Sequence, residues 1–142
     1  MRSNFFNWSE PVTRRTVLLF TCDSCFDELI AKVFSEPAII LGARTVREAL
    51  QIVYQRGREL NLALMDFDGA CHGMTLLSAV HTCYERLPIV VTTSEHGEDA
   101  SFLACANGAQ TCLKKPLSAV GFAQAIADVT APRRQPVAAQ QL

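Results

Sequence analysis

The chain has 142 residues, with 13 lysines and arginines against 14 aspartates and glutamates, for a formal net charge of -1. That length holds one domain of ordinary size, ~100 to 150 residues, and excludes a second catalytic or DNA-binding domain beside it. The near-neutral balance excludes a bulk field drawing the chain to nucleic acid or an anionic membrane, so any partner is selected by a local surface. The longest apolar runs, such as Val17, Leu18, Leu19 and Phe20, fall far short of the ~20 residues needed to span a bilayer. The opening MRSNFFNWSEPVTRR lacks an apolar stretch and a small-residue cleavage site, so a cytoplasmic protein is expected. Six cysteines (Cys22, Cys25, Cys71, Cys83, Cys105 and Cys112) in a chain with a full-sized core then read as free thiols and not as a disulfide framework.

Short apolar runs alternate with amphipathic stretches between residues 15 and 130, which predicts a parallel sheet covered by helices on both faces. Strand one is expected over 16–21 (TVLLFT), followed by a helix opened by Ser24 and Asp27 and running to Phe34, with Leu29, Ile30 and Val33 on one face. A short second strand covers 38–41. The next helix starts at the pair Thr45 and Glu48, carries the stripe Val46, Ala49, Leu50 and Val53, and stops at Gly57. Strands follow over 62–65 and 89–92, the latter entered through Pro88, with a helix over 74–85 between them. A weaker helix over 99–107 is closed by Gly108, a fifth strand covers 111–113, and after Lys115 and Pro116 a last helix over 117–129 places Phe122, Ile126 and Val129 together. Five strand–helix units result. Residues 1–14 are read as a flexible extension, 15–130 as the domain, and 131–142 as a disordered tail.

In an open parallel sheet, ligands bind outside the carboxyl ends of the strands. The polar residues at those ends are Thr21, Cys22 and Asp23, then Asp66 and Asp68, then Thr93 and Ser94, and finally Lys115. A carboxylate, a hydroxyl and a lysine thus converge on one crevice.

Three blocks at these ends, LALMDF, PIVVTTS and GAQTCLKKP, make the chain resemble the CheY-like receiver domains of two-component response regulators, over most of its length. The resemblance implies an α/β fold, a doubly wound five-stranded parallel sheet flanked by five helices (the flavodoxin-like receiver fold). It implies Asp66 as phosphoacceptor, Thr93 as switch hydroxyl, Lys115 as the phosphate-pairing lysine and a cis Lys115–Pro116 bond. A carboxylate can attack phosphorus in line while the protein supplies position and charge compensation. The implied function is a stand-alone receiver, not an enzyme, that takes a phosphoryl group from a histidine kinase or phosphotransfer protein. It would then signal to a downstream protein partner through the fourth helix, fifth strand and fifth helix, with a homodimer allowed and no nucleic acid or membrane involved.

The chain also departs from that pattern. Two adjacent acids normally follow the first strand and help hold Mg²⁺; the aligned positions here are Thr21 and Cys22, with Asp23 one place later. Asp66, Asp23 and Asp68 are the candidate metal ligands, Asp68 standing where the family presents a backbone carbonyl. Mg²⁺ demands hard oxygen donors in near-octahedral geometry, so its affinity is expected to be weak or absent. The loop after Asp66 is short, and the aromatic switch position is Cys112. Two other readings follow: a phosphorylation-independent pseudo-receiver that binds a partner constitutively, and a thiol redox switch through Cys22 and Cys25, whose CxxC spacing stands where a helix begins. Cys22, Cys25, Cys71, His72 and His96 share that edge as soft zinc donors without a finger spacing. His81, Cys83, Cys105 and Cys112 read as helix or core fillers.

Overall fold

Alternation along the strands decides which residues face which layer, because successive side chains of a strand point to opposite faces. A computed structural model of the chain describes residues 15–22, 25–34, 38–68, 72–94 and 98–131. Five strands, β1 (Arg15–Phe20), β2 (Ala38–Ala43), β3 (Leu62–Asp66), β4 (Ile89–Thr93) and β5 (Thr111–Lys114), form one parallel sheet in the order β2-β1-β3-β4-β5. The helices are α1 (Cys25–Val33), α2 (Val46–Arg56), α3 (Gly73–Cys83), α4 (Glu98–Ala106) and α5 (Ala119–Thr130).

One set of inward residues, Val17, Leu19, Leu62, Leu64 and Val90, packs against Phe26 and Ile30 of α1 and Phe122 and Ile126 of α5. The opposite set, Leu18, Phe20, Ala63, Met65, Ile89 and Val91, packs against Ala49 and Val53 of α2 and Leu76, Leu77 and Val80 of α3. The near-continuous apolar strands are the signature of a sheet buried on both faces. Full burial of each Val, Leu or Phe side chain contributes ~1.5 to 3 kcal/mol to holding the layers together.

Local signals were mostly realised. Thr45 caps α2 as expected: its Oγ1 accepts the Glu48 N–H at 3.1 Å, while Glu48 Oε1 accepts the Thr45 N–H at 3.2 Å. Gly57 stops α2 as expected: it caps the helix at a right-handed φ of -57° and passes into a single 3-10 turn, Gly57–Glu59. A glycine stands there for space, since a Cβ would lie 2.4 Å from the Tyr84 ring. Gly108, in contrast, closes α4 at φ +122°, a conformation open to glycine and costly for other residues. Within the stripe expected on α2, Ala49 and Val53 are buried but Leu50 is 39% exposed. Cys83 and Cys105 sit on helices and face solvent, whereas Cys112 on β5 is half-buried and packs against the core on the α2/α3 side of the sheet. The proposed extension, tail and Ser24 cap lie outside the described residues.

No helix among the described residues is long and apolar enough to cross a membrane.

Candidate functional site

The alternation that builds the α1/α5 core also builds the polar edge. Extending it by one step places Thr21 after Leu19, Asp66 after Leu64, Thr92 after Val90 and Lys115 after Leu113, so four polar side chains crown the same layer at the carboxyl ends of the strands. Asp66 pairs in register with Thr92 across β3 and β4. The Lys115–Pro116 peptide bond is cis.

Asp66 is fully buried, and its carboxylate is satisfied from several directions. Oδ1 accepts from Lys115 Nζ at 2.9 Å, from the Asp68 N–H at 3.2 Å and from Thr92 Oγ1 at 3.3 Å. Oδ2 accepts from Thr21 Oγ1 at 2.9 Å. A buried carboxylate needs such an enclosure, because an ion removed from water without partners costs far more than a marginal fold can bear.

Lys115 is shared: its Nζ also lies 3.0 Å from Asp68 Oδ2. Asp68 Oδ1 accepts the Ser94 N–H at 2.9 Å and the Thr93 hydroxyl at 3.4 Å. Lys115 Nζ further sits 5.9 Å from the centroid of the Phe26 ring, which meets Phe122 edge-on at 5.7 Å. Structure therefore brings together Asp66, Asp68, Thr93 and Lys115, all named from sequence. Asp23, Cys71 and His96 lie outside the described residues, as does the Cys25 side chain. Cys22 is exposed, its Sγ 3.5 Å from the Arg44 carbonyl oxygen. Thr92 was missed; its signal was a hydroxyl inside an otherwise apolar strand, next to the residue that was named.

Burial works against the charge on Lys115, but its bonds to Asp66 and Asp68 outweigh it and raise the ammonium above its ordinary value. Burial likewise pushes the Asp68 carboxyl up; the Ser94 N–H and Lys115 outweigh it and hold the group below the usual carboxylate range. A depressed folded-state value means that Asp68 contributes stability above about pH 4 and loses it as pH falls through the folded value. A raised value means that Lys115 contributes fully below about pH 10 and loses that contribution as pH rises through its folded value. Asp68→Asn should therefore lower the unfolding free energy measured in urea between pH 5 and 9 by about 1 kcal/mol, since the pair is partly solvated. The gap to the parent should close as both are acidified below about pH 4. A gap that does not change with pH would remove Asp68 from the charge cluster.

Tested as a Mg²⁺ cage, the described residues do not fit. The oxygen anions at this edge are Asp66 and Asp68; the first has donors on both oxygens and the second is held by an ammonium and a backbone N–H. Thr21 presents a hydroxyl that donates inward, and Cys22 a soft thiol. Among the described residues no group of three or more His, Cys, Asp or Glu side chains could hold a metal ion.

No family model matches the chain, and no protein of curated function matches it at a significant level. Solved structures do match. A response regulator receiver domain protein from Clostridium thermocellum is 21% identical, with a TM-score of 0.70 over 82% of this chain and 94% of that one. A CheY-like receiver domain protein from Methanospirillum hungatei JF-1 is 20% identical, with a TM-score of 0.71 over 81% and 92%. The Vibrio cholerae chemotaxis protein CheY4 is 19% identical, with a TM-score of 0.71 over 82% and 98%. The fold expected from the three sequence blocks is the fold found.

Proposed function

We propose that this chain, which has the fold of a CheY-like response-regulator receiver, works as a protein-contact module whose aspartate site is closed and is not phosphorylated. One observation carries the reading: Asp66 is fully buried with both carboxylate oxygens already accepting from Lys115, Thr21, Thr92 and the Asp68 N–H. In-line attack on phosphorus needs a carboxylate oxygen free to face the donor. Phosphorylation would also add about two negative charges at neutral pH to a pocket that already sets two carboxylates against one ammonium. A divalent cation would offset them, but the oxygen donors at the end of β1 that would hold it are replaced by a hydroxyl and a thiol. The partner in this reading is a protein, recognised through the surface of a signalling domain and not through a phosphate-dependent change.

A second reading keeps Asp66 as a phosphoacceptor supplied by a histidine kinase or phosphotransfer protein. The convergence of Asp66, Thr93 and Lys115 on one crevice favours it. Incubation with acetyl phosphate and Mg²⁺ followed by intact-mass measurement separates the two, with Asp66→Asn as control. The closed site predicts no added phosphoryl group under conditions that modify an ordinary receiver. A Mg²⁺-dependent gain of one phosphoryl group that disappears in Asp66→Asn would establish the phosphoacceptor instead.

A further inference from the structure

Strand β5 and the helix before it put two thiols on one side of the sheet. Side chains of β5 alternate between the layers: Leu113 joins the α1/α5 core, while Cys112 turns the other way and packs on the core that also holds Ala104 of α4, which has no exposure to water. Cys105 follows Ala104 in α4 and faces solvent. The chain between the two cysteines is a tight reversal. Gly108 turns it at φ +122°; its N–H donates to the Cys105 carbonyl at 3.2 Å, the Ala109 N–H donates to the Ala104 carbonyl at 3.0 Å, and the Gln110 N–H enters the sheet on the Ile89 carbonyl at 2.8 Å. The end of α4 is thereby folded back beside the start of β5, with Cys105 three residues before the reversal and Cys112 four after it.

Both sulfurs are open to small reagents, since Cys105 is exposed and Cys112 half-buried. They also sense each other. The Cys105 thiol is pushed up, by burial first and by the Cys112 thiol second, which places the pair within electrostatic reach, ~10 Å. Other described cysteines stand apart from them: β3 and β4 separate β1, and with it Cys22, from β5, and Cys83 ends α3.

We propose that Cys105 and Cys112 are a vicinal dithiol which hydrogen peroxide converts to an intrachain disulfide, fastening the end of α4 to β5. One thiolate attacks a peroxide oxygen and becomes a sulfenic acid, and the hydroxide released takes up a proton to give water. The second thiolate attacks that sulfur, forms the S–S bond and expels a second hydroxide, which is protonated in turn. The two sulfurs together lose two electrons, the peroxide gains them, and a small dithiol reverses the step. The bridge sets a redox control beside the exposed Phe102 and Leu103 of α4, and it does not depend on whether Asp66 takes a phosphoryl group.

Trypsin cuts after Arg86 and Lys114, and residues 87–114 contain Cys105 and Cys112 and no other cysteine, so one peptide reports the pair in the full chain. After hydrogen peroxide and then iodoacetamide, the unreduced peptide should carry no alkyl group and lack two hydrogens; reduced with dithiothreitol before alkylation, it should carry two alkyl groups. Bridging should run several-fold faster at about pH 9 than at about pH 7, because only the thiolate reacts. Cys105→Ser and Cys112→Ser should each leave the remaining cysteine open to alkylation with far-UV circular dichroism unchanged, while Asp66→Asn bridges like the parent. Three results would each overturn the proposal: a parent peptide alkylated at both cysteines after a peroxide treatment that fully oxidises dithiothreitol, a bridge from either cysteine to a different peptide, or oxidation of one sulfur to a sulfinic acid with no bridge.

Discussion

Replacing Lys115 with methionine should cost the fold about 3 to 5 kcal/mol in equilibrium urea unfolding, the penalty for stranding one member of a buried ion pair. Methionine keeps an apolar stem of similar length and deletes the ammonium that lies 2.9 Å from Asp66, 3.0 Å from Asp68 and 5.9 Å from the centre of the Phe26 ring. Asp66, which has no exposure to water, keeps its hydroxyl and backbone donors but loses its counter-charge. Removing the other partner should be far cheaper. In Asp66→Asn, Lys115 keeps Asp68 and remains in contact with solvent, its side chain 20% exposed, and the amide can still accept from Thr21, so a loss of about 1 kcal/mol is expected. The double substitution should recover part of what Lys115→Met loses, because the stranded charge is gone. Equal costs for the two single substitutions would mean that Asp66 is not the buried anion described above.

Gly108→Ala should be of similar size, about 2 to 6 kcal/mol, from two separable causes. The backbone stands at φ +122°, where a side chain is strained by about 1 to 3 kcal/mol. The new methyl would also lie 2.4 Å from His81 Cγ and 2.6 Å from its Cβ, an overlap that costs ~1 to 3 kcal/mol to relieve by shifting α3. A cycle with His81→Ala tells them apart. Steric overlap disappears in the double variant and backbone strain does not, so coupling of about 1 kcal/mol or more is expected. Strict additivity would assign the whole loss to the backbone.

What could be read from sequence follows how far apart the contributing residues lie. Thr45 and Glu48 form a cap within one turn, and that cap was legible. So were the five strand–helix units, since each apolar run carries its own signal, although β2 continues to Ala43 and β4 to Thr93 because pairing with a neighbouring strand extends beyond the apolar residues. The convergence of Asp66, Thr93 and Lys115 could be anticipated from strand ends alone. Its detail could not. That Thr21 donates to Asp66, that Thr92 joins it across a register pair, and that Asp68 holds both Lys115 and the Ser94 N–H depend on how two loops return over the edge, at tenths of an ångström. Leu50 illustrates a different limit: periodicity places it beside Ala49 and Val53, but not how far α2 is turned toward the sheet. Gly57 was legible as the stop of α2, but not that the Tyr84 ring, 27 positions later, leaves no room for a side chain there.

The strand order has a consequence for association. Among the described residues β2 and β5 are the two outer strands of the sheet, and the outer edge of each has no described strand paired to it, a row of backbone groups that a further strand could join. They are guarded differently. β5 is four residues long and ends in the exposed Lys114, a short charged margin that discourages a newcomer. β2 runs six residues as AIILGA without a charge, and its gatekeepers, Pro37 and Arg44, stand only at its two ends. Self-recruitment by strand addition therefore has one open side, and the colloidal behaviour of the protein rests on how well that margin is kept covered.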